Sequence, residues 1–308
     1  MSRQPFYPTR LSPTPAILER QDPVVYSDGP LPAELTEEQV QFYEQNGYLA
    51  IEGLFSPEEL KVFNQELNLL TSDEKIREDE RTIIERDSNL IRSFFQIHHL
   101  SPLFDQLSRD KRILDIVHYL LGSEVYIHQS RINLKLPFLG RGFNWHSDFE
   151  TWQIEDGMPR MRALSVSISL TDNYEFNGPL IVVPGSHKKF VSCVGEGKNP
   201  EKNYKQSLKK QVLGVPDPAS VTQLVEEGGL VALKGKAGSV VFFDCNTLHT
   251  SSNNVSPYPR CNVFLVYNSV QNTLQEPFLG STPRPLFAAE RENVAPLVPV
   301  EPEYTAIS

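Results

Sequence analysis

The sequence is poor in cysteine, and it lacks any long apolar run. Only three cysteines occur among its 308 residues, Cys193, Cys245 and Cys261, and none has CxxC spacing. An odd, scattered set of this kind excludes both a disulfide framework and a zinc site built on cysteines. No stretch of about 18 apolar residues is present, so the sequence predicts no membrane-spanning helix.

Basic charge is also scarce, and the amino-terminal segment carries no targeting pattern. There are 29 Lys and Arg residues against 39 Asp and Glu residues, which gives a net charge of −10. We expect no nucleic-acid or membrane partner, because both need clustered cations. The opening MSRQPFYPTR has no apolar core, so we do not expect a secretory signal. The expected location is the reducing cytoplasm.

The front half of the chain predicts helices. Residues 1–35 are rich in proline and polar residues, and we expect an extended arm on the surface. Capping boxes predict where two helices start, and a glycine predicts where a third ends. Their signals are Thr36 with Gln39, Ser56 with Glu59, and Gly122 after a helix over residues 111–121.

The remainder predicts short strands. Strand patterns cover residues 125–133, 163–170, 179–183, 239–243 and 263–267. In the second, Leu164, Val166 and Ile168 alternate with serines, which predicts one buried face. Helices followed by strands favour an α+β fold with a mainly β core, a sandwich or barrel with helices packed outside. We expect a single domain over residues 1–308.

Two segments interrupt or follow the predicted strands. Residues 188–238 form a lysine-rich insert with one short helix, which we expect to be capped by Ser220 with Gln223. An insert of this length between strands is typical of a lid or a binding loop. The tail from Glu276 is rich in proline, and we expect it to run over the surface.

Three residues form a candidate metal site. His146 and Asp148 have the H-x-D spacing, which in extended chain places both side chains on the same face. His249 follows the predicted strand 239–243 and supplies a distal histidine. Two histidines and one carboxylate form the facial triad that suits non-haem Fe(II), because it leaves adjacent coordination positions open.

An arginine in the right order strengthens this hypothesis. Arg260 lies eleven residues after His249 and just before a predicted strand. Its fork of N–H donors fits the far carboxylate of a dicarboxylate co-substrate. Ser251 could share that carboxylate. Read alone, Arg260 would more simply form a surface salt bridge.

The residues around the triad carry a resemblance. The segment FNWHSDFETWQIEDGMP, residues 143–159, resembles the signature of the ectoine hydroxylases, a branch of the phytanoyl-CoA dioxygenase superfamily. The similarity continues through HQSRIN at 128–133, NGPL at 177–180 and PGSH at 184–187, and it covers nearly the whole chain.

The resemblance implies a fold, a reaction and a set of site residues. The fold would be a double-stranded β-helix, the cupin-like jelly roll, with flanking amino-terminal helices. The activity would be Fe(II)- and 2-oxoglutarate-dependent hydroxylation of ectoine, a compatible solute of osmotic stress, to 5-hydroxyectoine, in a homodimer. Iron would be bound by His146, Asp148 and His249. The implied 2-oxoglutarate residues are Arg260, Ser251 and Asn133, and the implied substrate residues are Gln129, Arg131, Thr151, Trp152 and Phe264. No side-chain acid or base is needed.

The chain also departs from the family pattern. Leu134, Gln153 and Thr250 stand where the family usually has Tyr, His and Gly. We expect these positions to flank the pocket, which bears on substrate identity more than on reaction class. His187 follows a Pro-Gly turn, and we interpret it as structural.

Three alternatives stay open. The same chemistry could act on another small amino-acid-like or imino-acid solute. An iron halogenase would need the carboxylate ligand to be absent, and Asp148 is present. A non-catalytic solute-binding barrel would be signalled by loss of a ligand or of Arg260, and neither is lost.

Overall fold

A computed structural model describes residues 5–85, 88–195, 213–278 and 282–304. Six of the eight α-helices in these ranges lie within residues 37–121, and the other two lie between strands further along the chain. They are α1 (Glu37–Asn46), α2 (Pro57–Ser72), α3 (Glu74–Glu78), α4 (Ile97–Leu100), α5 (Pro102–Ser108), α6 (Lys111–Leu121), α7 (Asp148–Thr151) and α8 (Pro218–Gly228). A π-helical turn, Trp152–Asp156, continues α7 without a break. No helix in these ranges is both long enough and apolar enough to cross a membrane.

Thirteen antiparallel-paired strands build three sheets in the described ranges. The strands are β1 (Ala16–Glu19), β2 (Tyr48–Ile51), β3 (Thr82–Ile84), β4 (Ile91–Phe95), β5 (Val125–Lys135), β6 (Phe143–His146), β7 (Ala163–Ser169), β8 (Leu180–Val182), β9 (Lys189–Ser192), β10 (Val231–Leu233), β11 (Val240–Asp244), β12 (His249–Ser251) and β13 (Arg260–Ser269). The large sheet has the order β2-β11-β7-β13-β5-β4-β3, and the small sheet has the order β10-β8-β12-β6. β1 and β9 form a separate pair.

The predicted jelly roll is confirmed. Apolar side chains of the large sheet, such as Phe243 and Phe264, pack against Leu180 and Val182 of the small sheet. On its other face the large sheet packs against the helices, in a core that contains Phe63, residues of α6, and the Leu164, Val166 and Ile168 face of β7. The two sheets therefore enclose a space between them, and the helices shield the outer side of the larger one.

Local signals predicted the helix ends well. Both capping boxes form, at Thr36 with Gln39 and at Ser56 with Glu59. Gly47 and Gly122 end α1 and α6 in left-handed conformations that favour glycine. The predicted cap of the insert helix was wrong. Asp217, and not Ser220, accepts the N–H groups of the first turn, because Pro218 opens the helix.

The two ends of the chain are more buried than the sequence predicted. In the amino-terminal arm Tyr7, Thr9 and Arg10 are buried, and β1 pairs with β9. In the tail Arg284 and Phe287 are buried. Both surface predictions were wrong at these positions because long-range ion pairs and hydrogen bonds dock the two ends on the barrel.

The insert is only partly described, since residues 196–212 lie outside the described ranges. Its described parts include β9, α8 and β10, and β10 extends the small sheet by pairing with β8. Part of the insert is therefore integral to the barrel wall. Its role as a lid stays a prediction.

Candidate metal centre and active site

His146, Asp148 and His249 converge between the two sheets. His146 ends β6 and His249 begins β12, and the two are Cα partners in this antiparallel pair. Their ring centroids lie 4.1 Å apart. Asp148 starts α7, and its Oδ1 lies 3.6 Å from His146 Nε2. One ligand atom from each residue lies within 4.8 Å of the others, which fits a single metal ion.

The route to this convergence differs from the sequence argument. His146 is in extended chain, but Asp148 is helical, with Ser147 as the N-cap whose hydroxyl accepts from the Glu150 N–H. The H-x-D spacing works here because the chain turns from strand to helix at Ser147. His249 belongs to the small sheet, while the strand before it, β11, belongs to the large one.

Backbone carbonyls fix both imidazoles. His146 Nδ1 lies 2.8 Å from the Asn144 carbonyl, and His249 Nδ1 lies 2.9 Å from the Thr247 carbonyl. A carbonyl only accepts, so each Nδ1 carries the proton and each Nε2 presents its lone pair to the centre. This is the tautomer that a metal-binding histidine needs, and the set of two imidazoles and one carboxylate suits Fe(II).

Electrostatics keep the centre in its ligating state. Burial lowers the pKa of His249 to about 4, and the neighbouring His146 adds to the shift. Burial on its own would raise the pKa of Asp148, but hydrogen bonding to His146 and the proximity of His249 and Arg131 hold it below its usual range. At neutral pH the imidazole of His249 is neutral and Asp148 is ionised. Ser165 Oγ also donates to Asp148 Oδ2 at 3.2 Å.

The serines that alternate along β7 also line the space between the sheets. The alternation predicted one buried face, yet all seven residues of β7 are buried. Ser165, Ser167 and Ser169 point into the space between the sheets, where they bond to Asp148, Asn262 and Asn173. Sequence reasoning missed Ser165, although a strand with a serine face could have been interpreted as lining a polar interior.

A cationic cavity adjoins the metal centre. Its lining includes Arg92, Arg131, Asn133, Lys135, His146, His249, Ser251, Arg260 and Phe264. Arg260 donates to Asn133 Oδ1 at 3.0 Å, and it has no carboxylate partner within the described ranges. Burial lowers the pKa of Arg260 to about 10, so it stays charged at neutral pH. A buried, unpaired guanidinium is costly unless an anion completes it.

Lys135 is a further basic residue of this cavity that sequence reasoning missed. Its Nζ donates to Ser251 Oγ at 2.8 Å and to the Ser252 carbonyl at 2.5 Å. Burial, with Arg260 nearby, lowers its pKa to about 5. The signal was available, since Gln129, Arg131, Asn133 and Lys135 alternate along β5 and share one face.

The implied substrate residues divide into two groups. Arg131 and Phe264 line the cavity, with the guanidinium carbon 5.0 Å from the ring centroid. Gln129 Oε1 accepts from Arg131 NH1 at 3.0 Å, so it orients the guanidinium. Thr151 and Trp152 are buried in the helical segment after Asp148 and are not part of this lining. The Trp152 and His128 rings pack edge to face, with centroids 5.1 Å apart.

The departures from the family pattern do not all flank the pocket. Gln153 is fully buried and bonds in both directions to the backbone of Tyr7, so it holds the arm. Leu134 packs against the main core. Thr250 does line the cavity, and its hydroxyl donates to the Phe143 carbonyl. His187 is buried against the Glu44 carbonyl, in agreement with a structural role.

Known proteins resemble this chain over nearly its whole length. A family model described as phytanoyl-CoA dioxygenase matches residues 43–261. The ectoine dioxygenase of Bordetella bronchiseptica is 53% identical over 295 residues, which is 96% of this chain and 95% of that protein. The ectoine dioxygenase of Stutzerimonas stutzeri is 50% identical over 94% of this chain and 96% of its own length.

Solved structures agree. EctD from S. alaskensis with 2-oxoglutarate and 5-hydroxyectoine matches with a TM-score of 0.88 and 42% identity, covering 98% of this chain and all of that one. The same protein with bound Fe matches with a TM-score of 0.88, 41% identity and the same coverage. The chain therefore belongs to the phytanoyl-CoA dioxygenase family and, within it, to the ectoine dioxygenases.

Proposed function

We propose that this chain is a non-haem iron, 2-oxoglutarate-dependent dioxygenase that converts ectoine to 5-hydroxyectoine. One oxygen atom of O₂ enters the solute and the other enters succinate, with release of CO₂ from 2-oxoglutarate. The observation that carries the proposal is the His146, Asp148 and His249 cluster, which adjoins a cavity lined by two arginines, the half-buried Arg131 and the buried Arg260. Two carboxylate-bearing ligands next to one metal are what this charge pattern fits.

The three ligating residues would hold Fe(II) through two Nε2 atoms and one carboxylate oxygen. When bound, this metal supplies the activation of O₂ that the reaction needs. The protein fixes the ligands, orients the two organic molecules and excludes water. We assign no side-chain acid or base.

Arg260, Asn133 and Ser251 would bind the distal carboxylate of 2-oxoglutarate. The guanidinium of Arg260 offers paired donors, and Asn133 Oδ1 fixes its orientation. Because Lys135 Nζ already donates to Ser251 Oγ, the Ser251 hydroxyl proton is free to point at an anion in the cavity. Lys135 therefore supports the same subsite.

Arg131 would bind the ectoine carboxylate, with Gln129 holding the guanidinium in place. The face of Phe264 beside it suits the delocalised cation of the amidine ring. Thr151 and Trp152 would complete the substrate site from the helical segment that follows Asp148.

A second candidate is the same reaction on another small solute, favoured by Thr250 at the cavity wall. A substrate panel separates the two. Purified protein with Fe(II), 2-oxoglutarate and air is given ectoine, proline or another imino acid, and succinate is followed with the hydroxylated product. Ectoine should give equal amounts of both. Hydroxylated product from another solute alone would identify that solute as the substrate. Solute binding without succinate formation would favour a non-catalytic barrel.

We further propose a single domain that works as a cytoplasmic homodimer, without nucleic-acid or membrane partners. Three buried free cysteines suit a reducing compartment, and a net charge of −10 disfavours anionic partners. Three adjoining loops expose large apolar side chains on one surface, which we name the loop patch: Phe138, Leu139, Tyr174, Phe176, Val255 and Tyr258.

A second copy of the chain is the expected occupant of the loop patch. Replacing Phe138 and Tyr258 together by serine should shift sedimentation towards the monomer. Leu69→Ser, on the exposed face of α2, is the matched control and should leave the mass unchanged. A dimer that survives the double replacement would place the interface elsewhere.

A further inference from the structure

One buried arginine from the amino-terminal arm bridges two glutamates of the metal-bearing helical segment. Arg10 donates from Nε and NH2 to the two oxygens of Glu150, at 2.9 and 2.6 Å, and from NH1 to Glu155 Oε1 at 2.9 Å. All three side chains are at most 8% exposed. Thr9 Oγ1 is a third donor to the Glu150 carboxylate, at Oε1. The segment from Asp148 to Asp156 is thus clamped from a point about 140 residues away.

The spacing of the two glutamates is informative. Residues five apart on an α-helix lie about 140° from each other around the axis, so one guanidinium does not readily reach both. Here the segment from Trp152 is π-helical, and the Gly157 N–H reaches the Trp152 carbonyl five residues back. The wider π turn brings positions 150 and 155 towards one face. The bridge by Arg10 and the π turn therefore depend on the same geometry.

Arg10 is itself held rigidly. Its backbone has φ of 56°, the left-handed region that costs a non-glycine residue about 1–2 kcal/mol. The Arg10 N–H donates to the Cys193 carbonyl, and the Cys193 N–H donates to Thr9 Oγ1. A Cβ on Gly214 would lie 2.0 Å from Glu150 Oε2, so the chain packs tightly over the bridge. Such strain persists where the surroundings over-determine it, often at functional sites.

The same helical segment carries a metal ligand. Asp148 lies with the two histidines at its start, Thr151 ends α7, and Trp152 begins the π turn. We propose that Arg10 is a positioning residue, which holds the π turn by bridging Glu150 and Glu155 and so sets Thr151 and Trp152 relative to Asp148. Its effect on solute binding rests on the proposed function.

The substitution must keep the fold. Arg10→Met would leave two buried carboxylates without a cation, and the protein could unfold. Arg10→Lys keeps the charge but loses the fork that reaches both glutamates. Glu155→Gln keeps an acceptor for Arg10 and weakens only the second half of the bridge. Arg20→Lys is the matched control, because Arg20 also anchors the arm through a buried ion pair, with Asp244 at 2.8 Å, but donates to neither Glu150 nor Glu155.

The first readout uses no turnover. The chain has two tryptophans, Trp145 and Trp152, so incorporation of 5-fluorotryptophan gives two ¹⁹F resonances, assigned with Trp145→Phe. In metal-free protein, Arg10→Lys should shift the Trp152 resonance and leave Trp145 in place. Glu155→Gln should shift it less, and Arg20→Lys should not shift it. An unmoved Trp152 resonance in Arg10→Lys, or an equal shift in Arg20→Lys, would overturn the proposal.

The second readout separates positioning from stability. In holoenzyme, Arg10→Lys should raise KM for ectoine about tenfold and form more succinate than product, with KM for 2-oxoglutarate within about twofold of wild type. Lower thermal stability without these changes would show a purely structural role. If wild type does not turn over ectoine, the proposed function fails, while the ¹⁹F result still decides the role of Arg10.

Discussion

His146 and His249 lie opposite each other on two neighbouring antiparallel strands, with Nδ1 of each ring directed at a backbone carbonyl. This arrangement sets the Nε2 atoms towards the same point before any metal arrives. The site is therefore preformed by the hydrogen-bond register of β6 and β12, and the carboxylate of Asp148 is added by the turn from strand to helix.

Removal of one ligand tests this arrangement. His249→Ala should reduce Fe(II) affinity by more than about 100-fold and abolish succinate formation. The loss of affinity should exceed that caused by removing a hydrogen-bond partner of a metal ligand. The fold should survive, because the variant also removes a buried polar group. Calorimetric metal titration with circular dichroism measures both. Wild-type affinity in this variant would refute the assigned ligand set.

The guanidinium of Arg260 is expected to matter for its shape as well as its charge. Arg260→Lys should raise KM for 2-oxoglutarate by about 10- to 100-fold. The guanidinium can donate two hydrogen bonds to the distal carboxylate, whereas the lysine ammonium makes a single-point contact. KM for ectoine should change little. Initial rates over a range of 2-oxoglutarate concentrations give the answer, and a rise confined to ectoine would place the dicarboxylate elsewhere.

Arg131 gives the converse prediction. Arg131→Lys loses the bond to Gln129 and the stacking on Phe264, so KM for ectoine should rise by about tenfold or more. KM for 2-oxoglutarate should stay near the wild-type value. The opposite split between the two constants would exchange the roles of Arg131 and Arg260.

Whether the sequence predicts a structural feature depends on how far apart in the chain the interacting residues lie. Capping boxes at Thr36 and Ser56 are local, and they were confirmed. The bridge from Arg10 to Glu150 joins residues about 140 apart, and an arm rich in proline gives no local sign of it. Ser165 was missed because alternation tells which face is apolar, but not that the polar face looks into a closed barrel.

Two histidines outside the metal centre, the buried His187 and the half-buried His98, predict the pH dependence of stability. Burial lowers the pKa of His187 to about 4, and burial with His99 nearby lowers that of His98 to about 3. In the unfolded chain both protonate near pH 6.5. The unfolded state therefore binds protons first as pH falls, and the free energy of unfolding drops between about pH 6.5 and 4.

Replacing one of them isolates its share. Metal-free wild type and His187→Gln are compared by urea denaturation at several pH values in this window. His187→Gln should lose less stability per pH unit, by up to about 1.4 kcal/mol. Equal slopes for the two proteins would show that His187 titrates normally in the fold.

Two glycines with similar backbones differ in their surroundings. Gly47 has φ of 78°, and a Cβ there would lie 2.4 Å from His187 Nδ1; Gly53 has φ of 63° with nothing within 4 Å. Gly53→Ala should cost about 1–2 kcal/mol from the backbone alone. Gly47→Ala should cost about 1–3 kcal/mol more because the ring must move. Equal losses in chemical denaturation would contradict the tight packing at Gly47.

The central claim is that metal centre, dicarboxylate subsite and solute subsite act together on ectoine. The most direct measurement is anaerobic loading with Fe(II) and 2-oxoglutarate, followed by air with and without ectoine, with succinate and 5-hydroxyectoine quantified in the same samples. The account predicts equal amounts of both products, and neither from His146→Ala. Succinate without loss of ectoine, or hydroxylation that persists in His146→Ala, would contradict it.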